Sequence, residues 1–423
     1  MKKQLFPLLL LALIGFITCE KQTCNPSNDT FVLSFKPSFG FFRSYAEAED
    51  WAKYSISLLD NVPTKSGNCR EIESGMCYGF PAAKSGDLHN NDSLIYVFNF
   101  KNNEGFTIIA ANKENPPLVA ITESGHYVPG ENTGVEPFDL YIGDILKSMN
   151  SHDSLPEFPH SYYEYYELKD SCNARVDTKW GQTGVYGQYC PNGICGCVAT
   201  ALGQIMTYKQ YPSSFVATVA MGNDYAVGDT IVLNWPLISQ HIINHSGTVQ
   251  SCDSVHNQIG ALLREIGDLV YMNYKTNSSS AYCSNLVYAL DTFGFNYSSY
   301  SSVDISTMKS SIKSNSPVFV CGWAESNEGH AWVADGYKDF EYWRKLYIAH
   351  HINNGMAFYR LHSTEMYAST KLMHFNWGWN GVCNGYFAFN SYDTSGGVIY
   401  DGTDNYAAYD FANSPMMYSN IGY

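Results

Sequence analysis

Charge is scarce in this chain, and positive charge is the scarcer sign. Only 15% of its 423 residues are Asp, Glu, Lys or Arg, and 25 bases stand against 40 acids, for a net charge of −15. No basic run is available to neutralise phosphates, which argues against nucleic acid, or an anionic membrane surface, as the main partner. Long apolar runs are also missing after the N-terminus, so no later segment is fit to cross a bilayer as a helix. There is no internal repeat and no low-complexity tract. A metal centre lacks its ligands: the best candidate, His241-x-x-x-His245, has no intervening Glu and lies in the mixed stretch HIINHSG. Neither a metal nor a cofactor is expected.

The N-terminus reads as an export signal, with Lys2-Lys3, an apolar run from Leu5 to Ile17, and then Thr18-Cys19. Residues 1–18 are therefore set aside as a signal peptide. Cys19 stands where a lipoprotein signal places its lipidated cysteine, although Phe16 is large for such a site. A lipid anchor and an ordinary cleaved signal both stay open. The expected location is outside the cytoplasm, secreted or lipid-anchored at a bacterial cell surface or in the periplasm. Export changes the meaning of the twelve cysteines, because disulfides persist outside the cytosol. With Cys19 lipidated and one thiol catalytic, an even number is left, which permits bridges without proving any.

The length suggests two or three domains. In the first unit, residues 24–165, TFVLSF (Thr30–Phe35) has strand composition and Ser44 heads a helix running to Leu59, with Glu47 three residues on as a capping box. LIYVFNFKNNEGFTIIAA reads as a hairpin, PLVAIT as a strand and Glu136–Met149 as an amphipathic helix. The polar, proline-bearing stretch from His152 to Arg175 reads as an exposed linker and a natural site of proteolytic processing. The second unit, residues 171–423, places helices first and β-rich segments afterwards, an α+β layout.

The chemistry concentrates in GICGCVATALGQIM. From Val198 the apolar residues Val198, Ala201, Leu202, Ile205 and Met206 recur on one helical face, so Cys197 stands at a helix N-terminus. Unpaired backbone N–H groups and the helix dipole favour a thiolate there. Cys195 and Cys197 cannot easily bridge across one residue. A nucleophilic thiol needs a base. His330, in GHAWVADGY after a glycine, is the leading candidate, and His374, beside NWGW, competes with it.

The ordered set WGQ, GCVATA, GHAWVADGY and NWGWNGV resembles the streptopain family of secreted bacterial cysteine peptidases, which are papain-like, and GFTIIAANKENP resembles that family's propeptide. The resemblance implies a papain-like catalytic domain, with a helical part and an antiparallel β part, preceded by a small inhibitory α+β propeptide. It implies Cys197 as nucleophile and His330 as general base and acid. Gly329, Ser280 and Trp379 are expected at the substrate, with Gln182, Asn376 and Trp377 supporting the dyad or the oxyanion hole. Gln188 competes with Gln182. Phe375 occupies the place of the usual third catalytic residue, an Asn, so a Cys–His dyad with Trp377 shielding the imidazole is expected. Cys195 is expected to bridge to Cys190 or Cys172, or to stay free. The partners implied are protein or peptide substrates and the chain's own propeptide as inhibitor. Two rivals stay open: a non-catalytic binding scaffold, and an acyl transferase or deamidase using the same dyad.

Overall fold

The structure, a computed structural model, describes residues 42–59, 69–79, 93–113, 115–149, 161–243, 253–323, 329–352, 356–389 and 415–423. The export segment, Cys19 and the strand expected at Thr30–Phe35 lie outside the described residues.

Local signals act where the sequence places them. Helix α1 (Tyr45–Ser57) begins at Ser44, whose hydroxyl accepts the Glu47 N–H at 3.3 Å while the Glu47 carboxylate accepts the Ser44 N–H at 2.6 Å. Its Ala48, Trp51, Ala52 and Ser55 form the buried face. Strand β1 (Ile72–Gly79) precedes the hairpin of β2 (Ser93–Phe100) and β3 (Phe106–Ala110). Asn102 and Asn103 turn that hairpin with φ of 60° and 55°, a left-handed conformation that Asn tolerates better than most residues. Strand β4 (Leu118–Thr122) and helix α2 (Glu136–Met149) complete the first unit.

The stretch expected as a linker behaves otherwise. Ser161–Cys172 forms strand β5, paired antiparallel to β12 (Gly329–Ile352) from Tyr337↔Cys172 to Tyr347↔Ser161. Alternating tyrosines and acids gave no apolar stripe to read, but β12 runs past its other neighbour on that edge and leaves backbone groups for β5 to satisfy. The segments YIAHHI and AFYRLH are likewise not separate strands. They are the far halves of β12 and β13 (Met356–Asn376), which pair along nearly their whole lengths.

The helical part comprises α3 (Cys197–Lys209), α4 (Trp235–Ile243), α5 (Asp253–Leu269) and α6 (Leu286–Phe293), with short ribbons β6 (Ser214–Val216) with β7 (Thr230–Val232), and β8 (Asn273–Tyr274) with β9 (Ser279–Ser280). Strand β10 (Ser301–Ser302), helix α7 (Ile305–Lys313), β11 (Val318–Trp323), β14 (Gly385–Phe389) and β15 (Met416–Tyr418) follow. Apart from the two ribbons, one antiparallel sheet joins the described strands in the order β1-β2-β3-β4-β14-β13-β12-β11-β15-β10, with β5 beside β12.

Two cores lie on this sheet, divided by strand alternation. Phe319, Cys321, Ala331 and Val333 face the helices, burying Val198, Leu202, Ile205, Leu262 and Leu290. Val318, Val320, Trp332 and Ala334 face the other way, into a core shared with Trp51, Phe106, Phe138 and Tyr141 of the first unit. The first unit thus adds its sheet at β4–β14 and shares apolar residues with the second. Gly385 makes that seam possible, since a Cβ there would stand 2.2 Å from the Ile121 carbonyl oxygen.

Candidate active site

Cys197 is the first residue of α3 and is half-buried. Gly196, before it, has a φ of 85°, a left-handed conformation that favours glycine. The approach loop is pinned on both sides. The Gln182 carbonyl accepts the Cys195 N–H at 2.9 Å, and the Ser279 hydroxyl donates to the Ile194 carbonyl at 2.7 Å. No side chain caps α3, which leaves its first N–H groups open toward the thiol. Burial pushes the Cys197 thiol up to about 11, against the N–H groups of Ala331, Val198 and Cys197 itself, which favour the thiolate.

Cys195 has the opposite setting. It is fully buried, with Thr200 Oγ1 3.2 Å from its sulfur, and burial raises its pKa far beyond the thiolate range. Cys195, Cys190 and Cys172 are all free thiols, so of the alternatives for Cys195 the structure has the unbridged one.

His330 is the second residue of β12, opposite Gly322 of β11, and it is 9% exposed. Its Nε2 lies 2.8 Å from the Trp377 carbonyl oxygen. A carbonyl only accepts, so Nε2 carries the proton and Nδ1 keeps the lone pair. The aromatic rings beside the imidazole belong to Trp332, stacked at 6.1 Å, and Trp379 at 6.5 Å. The Trp377 indole turns into the shared core against Trp332 and Phe387, its Nε1 donating to the Cys383 carbonyl at 3.0 Å. Trp377 therefore meets the imidazole through its backbone, where the sequence reading gave that task to its ring. Burial lowers the His330 pKa to about 4, only partly offset by the Trp377 carbonyl. Cys197 and His330 share no hydrogen bond in this structure; they stand at the head of α3 and near the head of β12, and the Ala331 N–H beside the histidine is among the groups that favour the Cys197 thiolate.

The supporting residues separate. Gln182 is half-buried in the approach loop, whereas the exposed Gln188 is tethered to α5 through its Nε2 and the His256 carbonyl at 2.6 Å. Asn376 makes no contact with the imidazole: its Nδ2 donates to the Thr178 carbonyl at 2.6 Å and its Oδ1 accepts the Gly378 N–H at 3.2 Å. Ser280 on β9 and Gly329 at the head of β12 are both exposed. Trp379 is half-buried and its indole N–H has no partner.

His374, the competing histidine, lies elsewhere and is bound up. Its Nδ1 is 2.6 Å from Asp335 Oδ1 and its Nε2 is 3.2 Å from Glu123 Oε1. Burial disfavours its cation, yet the two carboxylates raise its pKa to about 10. Asp335 Oδ2 also accepts the Arg175 and Val176 N–H groups at 2.9 and 2.6 Å. Glu123 comes from the first unit, so this buried cluster joins the two units. The sequence reading missed Asp335 and Glu123. Asp335 falls inside the quoted GHAWVADGY, but nothing local marks the Glu of ITESG as a partner.

Fold and site together define a papain-like cysteine peptidase, α+β in class. Residues 180–387 match the Peptidase C10 family. Streptopain of Streptococcus pyogenes is 25% identical over 427 aligned residues, which cover 92% of each chain. The thiol protease/hemagglutinin PrtT of Porphyromonas gingivalis is 22% identical over 381 residues, covering 82% of this chain and 38% of that one. A fragment of Prevotella intermedia prointerpain A has the same fold at a TM-score of 0.50 and 19% identity, covering 83% of this chain and 99% of that one. Residues 180–387 thus form a streptopain-like peptidase domain of the C10 family.

Proposed function

We propose that the protein is an exported endopeptidase, made as a zymogen, with Cys197 as nucleophile and His330 as general base and acid. The observation that carries the reading is Cys197 at the open N-terminus of α3, with His330 held through Nε2 so that Nδ1 keeps its lone pair. His330 Nδ1 takes the thiol proton. The thiolate attacks the scissile carbonyl carbon, and the developing oxyanion is met by the Cys197 N–H and the Gln182 side chain. His330 then gives its proton to the departing amine as the C–N bond breaks, leaving a thioester. Water, losing its proton to His330, attacks the thioester; the acid departs and the proton returns with the regenerated thiol. Gly329 and Ser280, both exposed, receive substrate backbone, and the unpartnered Trp379 N–H offers a further donor.

The first unit, from residue 24 up to the start of β5 at Ser161, acts as the inhibitory propeptide in this reading, which ends it short of the expected boundary at 165. Two observations support that role: the β4–β14 seam and the Glu123–His374 contact. Cleavage is proposed N-terminal to β5, since a chain held in a sheet resists entry into a protease cleft. The export signal, a lipid on Cys19 and a surface or periplasmic location belong to the same proposal.

The test is maturation. Wild-type chain should shorten by about one domain and then hydrolyse a denatured protein, while Cys197→Ala should stay full-length and inactive. A Cys197→Ala chain that cleaves protein sinks the assignment. Full activity in an uncleaved wild-type chain removes the zymogen half of it.

A further inference from the structure

The imidazole of His330 is oriented by one backbone carbonyl, and the residue that bears it is itself held, through its N–H, by a side chain outside the dyad. The Trp377 carbonyl accepts from His330 Nε2 at 2.8 Å. The N–H of the same residue donates to Asn384 Oδ1 at 3.0 Å. Asn384 is 2% exposed and sits at the end of the turn that follows NWGW, where its own N–H reaches the Gly381 carbonyl at 3.3 Å. Gly378 (φ 74°), Asn380 (φ 56°), Gly381 (φ 79°) and Cys383 (φ 59°) are all left-handed in this turn. A segment with that backbone has no ladder to hold it, so side-chain hydrogen bonds set its course.

We propose that Asn384 is a positioning residue for His330, anchoring Trp377 by its N–H so that the carbonyl of that residue stays aimed at Nε2–H and leaves Nδ1 free for the thiol proton. The proposal deepens the reading of His330 given above and rests on it. The Trp377 carbonyl belongs to the next peptide, whose Gly378 N–H donates to Asn376 Oδ1 at 3.2 Å, so Asn384 acts on where Trp377 sits and not on the polarity of its carbonyl. The same turn is where the first unit takes its grip. The Asn384 carbonyl accepts the Glu123 N–H at 2.8 Å, the Ser124 hydroxyl donates to the Gly381 carbonyl at 2.6 Å, and the Ser124 carbonyl accepts the Cys383 N–H at 3.3 Å. Residues 123 and 124 therefore hold the turn that aims the imidazole, without touching the imidazole.

The test compares Asn384→Ala with Asn384→Asp, which keeps an acceptor oxygen for the Trp377 N–H. Each full chain is brought to constant length with a tagged trace of wild-type enzyme, which is then removed. Peptide hydrolysis is measured for kcat and KM, and iodoacetamide alkylation of Cys197 is followed against pH by peptide mapping. Asn384→Ala should lower kcat on the order of tenfold, the worth of one hydrogen bond to a charged group, and leave KM within about twofold because no substrate contact changes. The alkaline limb of the hydrolysis profile should move to lower pH, because an imidazolium held less firmly gives up its proton sooner, while alkylation, which needs only the thiolate, should persist above that limb. Asn384→Asp should restore most of both.

An unchanged kcat in Asn384→Ala overturns the proposal. So does an equal loss in both variants with the pH limb unmoved and a matching fall in melting temperature, the signature of a packing role alone. Cys197→Ala and His330→Ala serve as controls: hydrolysis that survives in them overturns the dyad itself and this proposal with it. A dyad that is required together with an indifferent Asn384 overturns this proposal alone.

Discussion

His330 and His374 stand on neighbouring strands of one sheet, both buried, and the structure drives them in opposite directions. Around His330 there are indole rings and one carbonyl, and its pKa falls to about 4. Around His374 there are two carboxylates, and its pKa rises to about 10. Burial penalises the cation at both sites, so partners decide the outcome. The comparison separates two tasks. The histidine proposed to shuttle a proton has a single carbonyl partner, while the other lies between two acids that tie the units together.

The largest effect that would break this comparison lies in turnover. His330→Ala should lower peptide hydrolysis by at least about a thousandfold, the usual scale for a general base, while processed His374→Ala should retain activity within roughly tenfold. The reverse order in a steady-state assay would transfer the catalytic role to His374.

Next comes stability. His374→Ala leaves Asp335 and Glu123 buried without their cation, which costs on the order of 3–5 kcal/mol. Denaturant unfolding of the full chain should expose that loss, and Glu123→Gln added to His374→Ala should recover part of it. No recovery would mean that the ion cluster is not what holds the seam.

A smaller effect sharpens the comparison through pH. The His374 pKa is raised from 6.5 to about 10 in the folded chain. The stability it contributes is therefore fully present below about pH 6.5 and is lost as pH rises through about 10. The Glu123 carboxyl is lowered by the His374 hydrogen bond and charge, which outweigh burial, so its contribution fades instead on the acid side. The full chain should melt lower at pH 9.5 than at pH 6.5, and His374→Gln should flatten that difference. A slope identical to wild type would refute the assignment.

The smallest effect concerns the two cysteines that flank Gly196. Cys195→Ala removes a buried contact with Thr200 and should cost roughly 1 kcal/mol, with hydrolysis within about twofold of wild type. Inactive Cys195→Ala beside active Cys197→Ala would exchange the roles given to the two thiols.

Elements governed by local chemistry are legible in the sequence. The capping box at Ser44, the Asn-rich hairpin turn, the helix at Glu136–Met149 and the start of α3 at Cys197 each depend on a few adjacent residues. The same holds for the candidate thiol and base, whose flanking motifs announce them. The imidazole's tether is not legible there, because a carbonyl belongs to every residue and only folding selects the one at Trp377. Strand β5 escapes a sequence reading because its alternating tyrosines and acids carry no apolar stripe, and it forms where β12 presents an open edge.

By itself, then, the sequence determined the α+β layout, a cysteine at a helix start and a histidine at a strand start, since each follows from spacing and side-chain type within one short segment. Tertiary structure alone decided that the first unit would share a sheet and a core with the second, that His374 would be spent on Glu123 and Asp335, and that Asn384 would hold the Trp377 N–H. The reason is separation along the chain. Glu123 and His374 are 251 residues apart, and a charge or hydrogen bond acts only across a few ångströms, so such partners exist only once the sheet has brought them together.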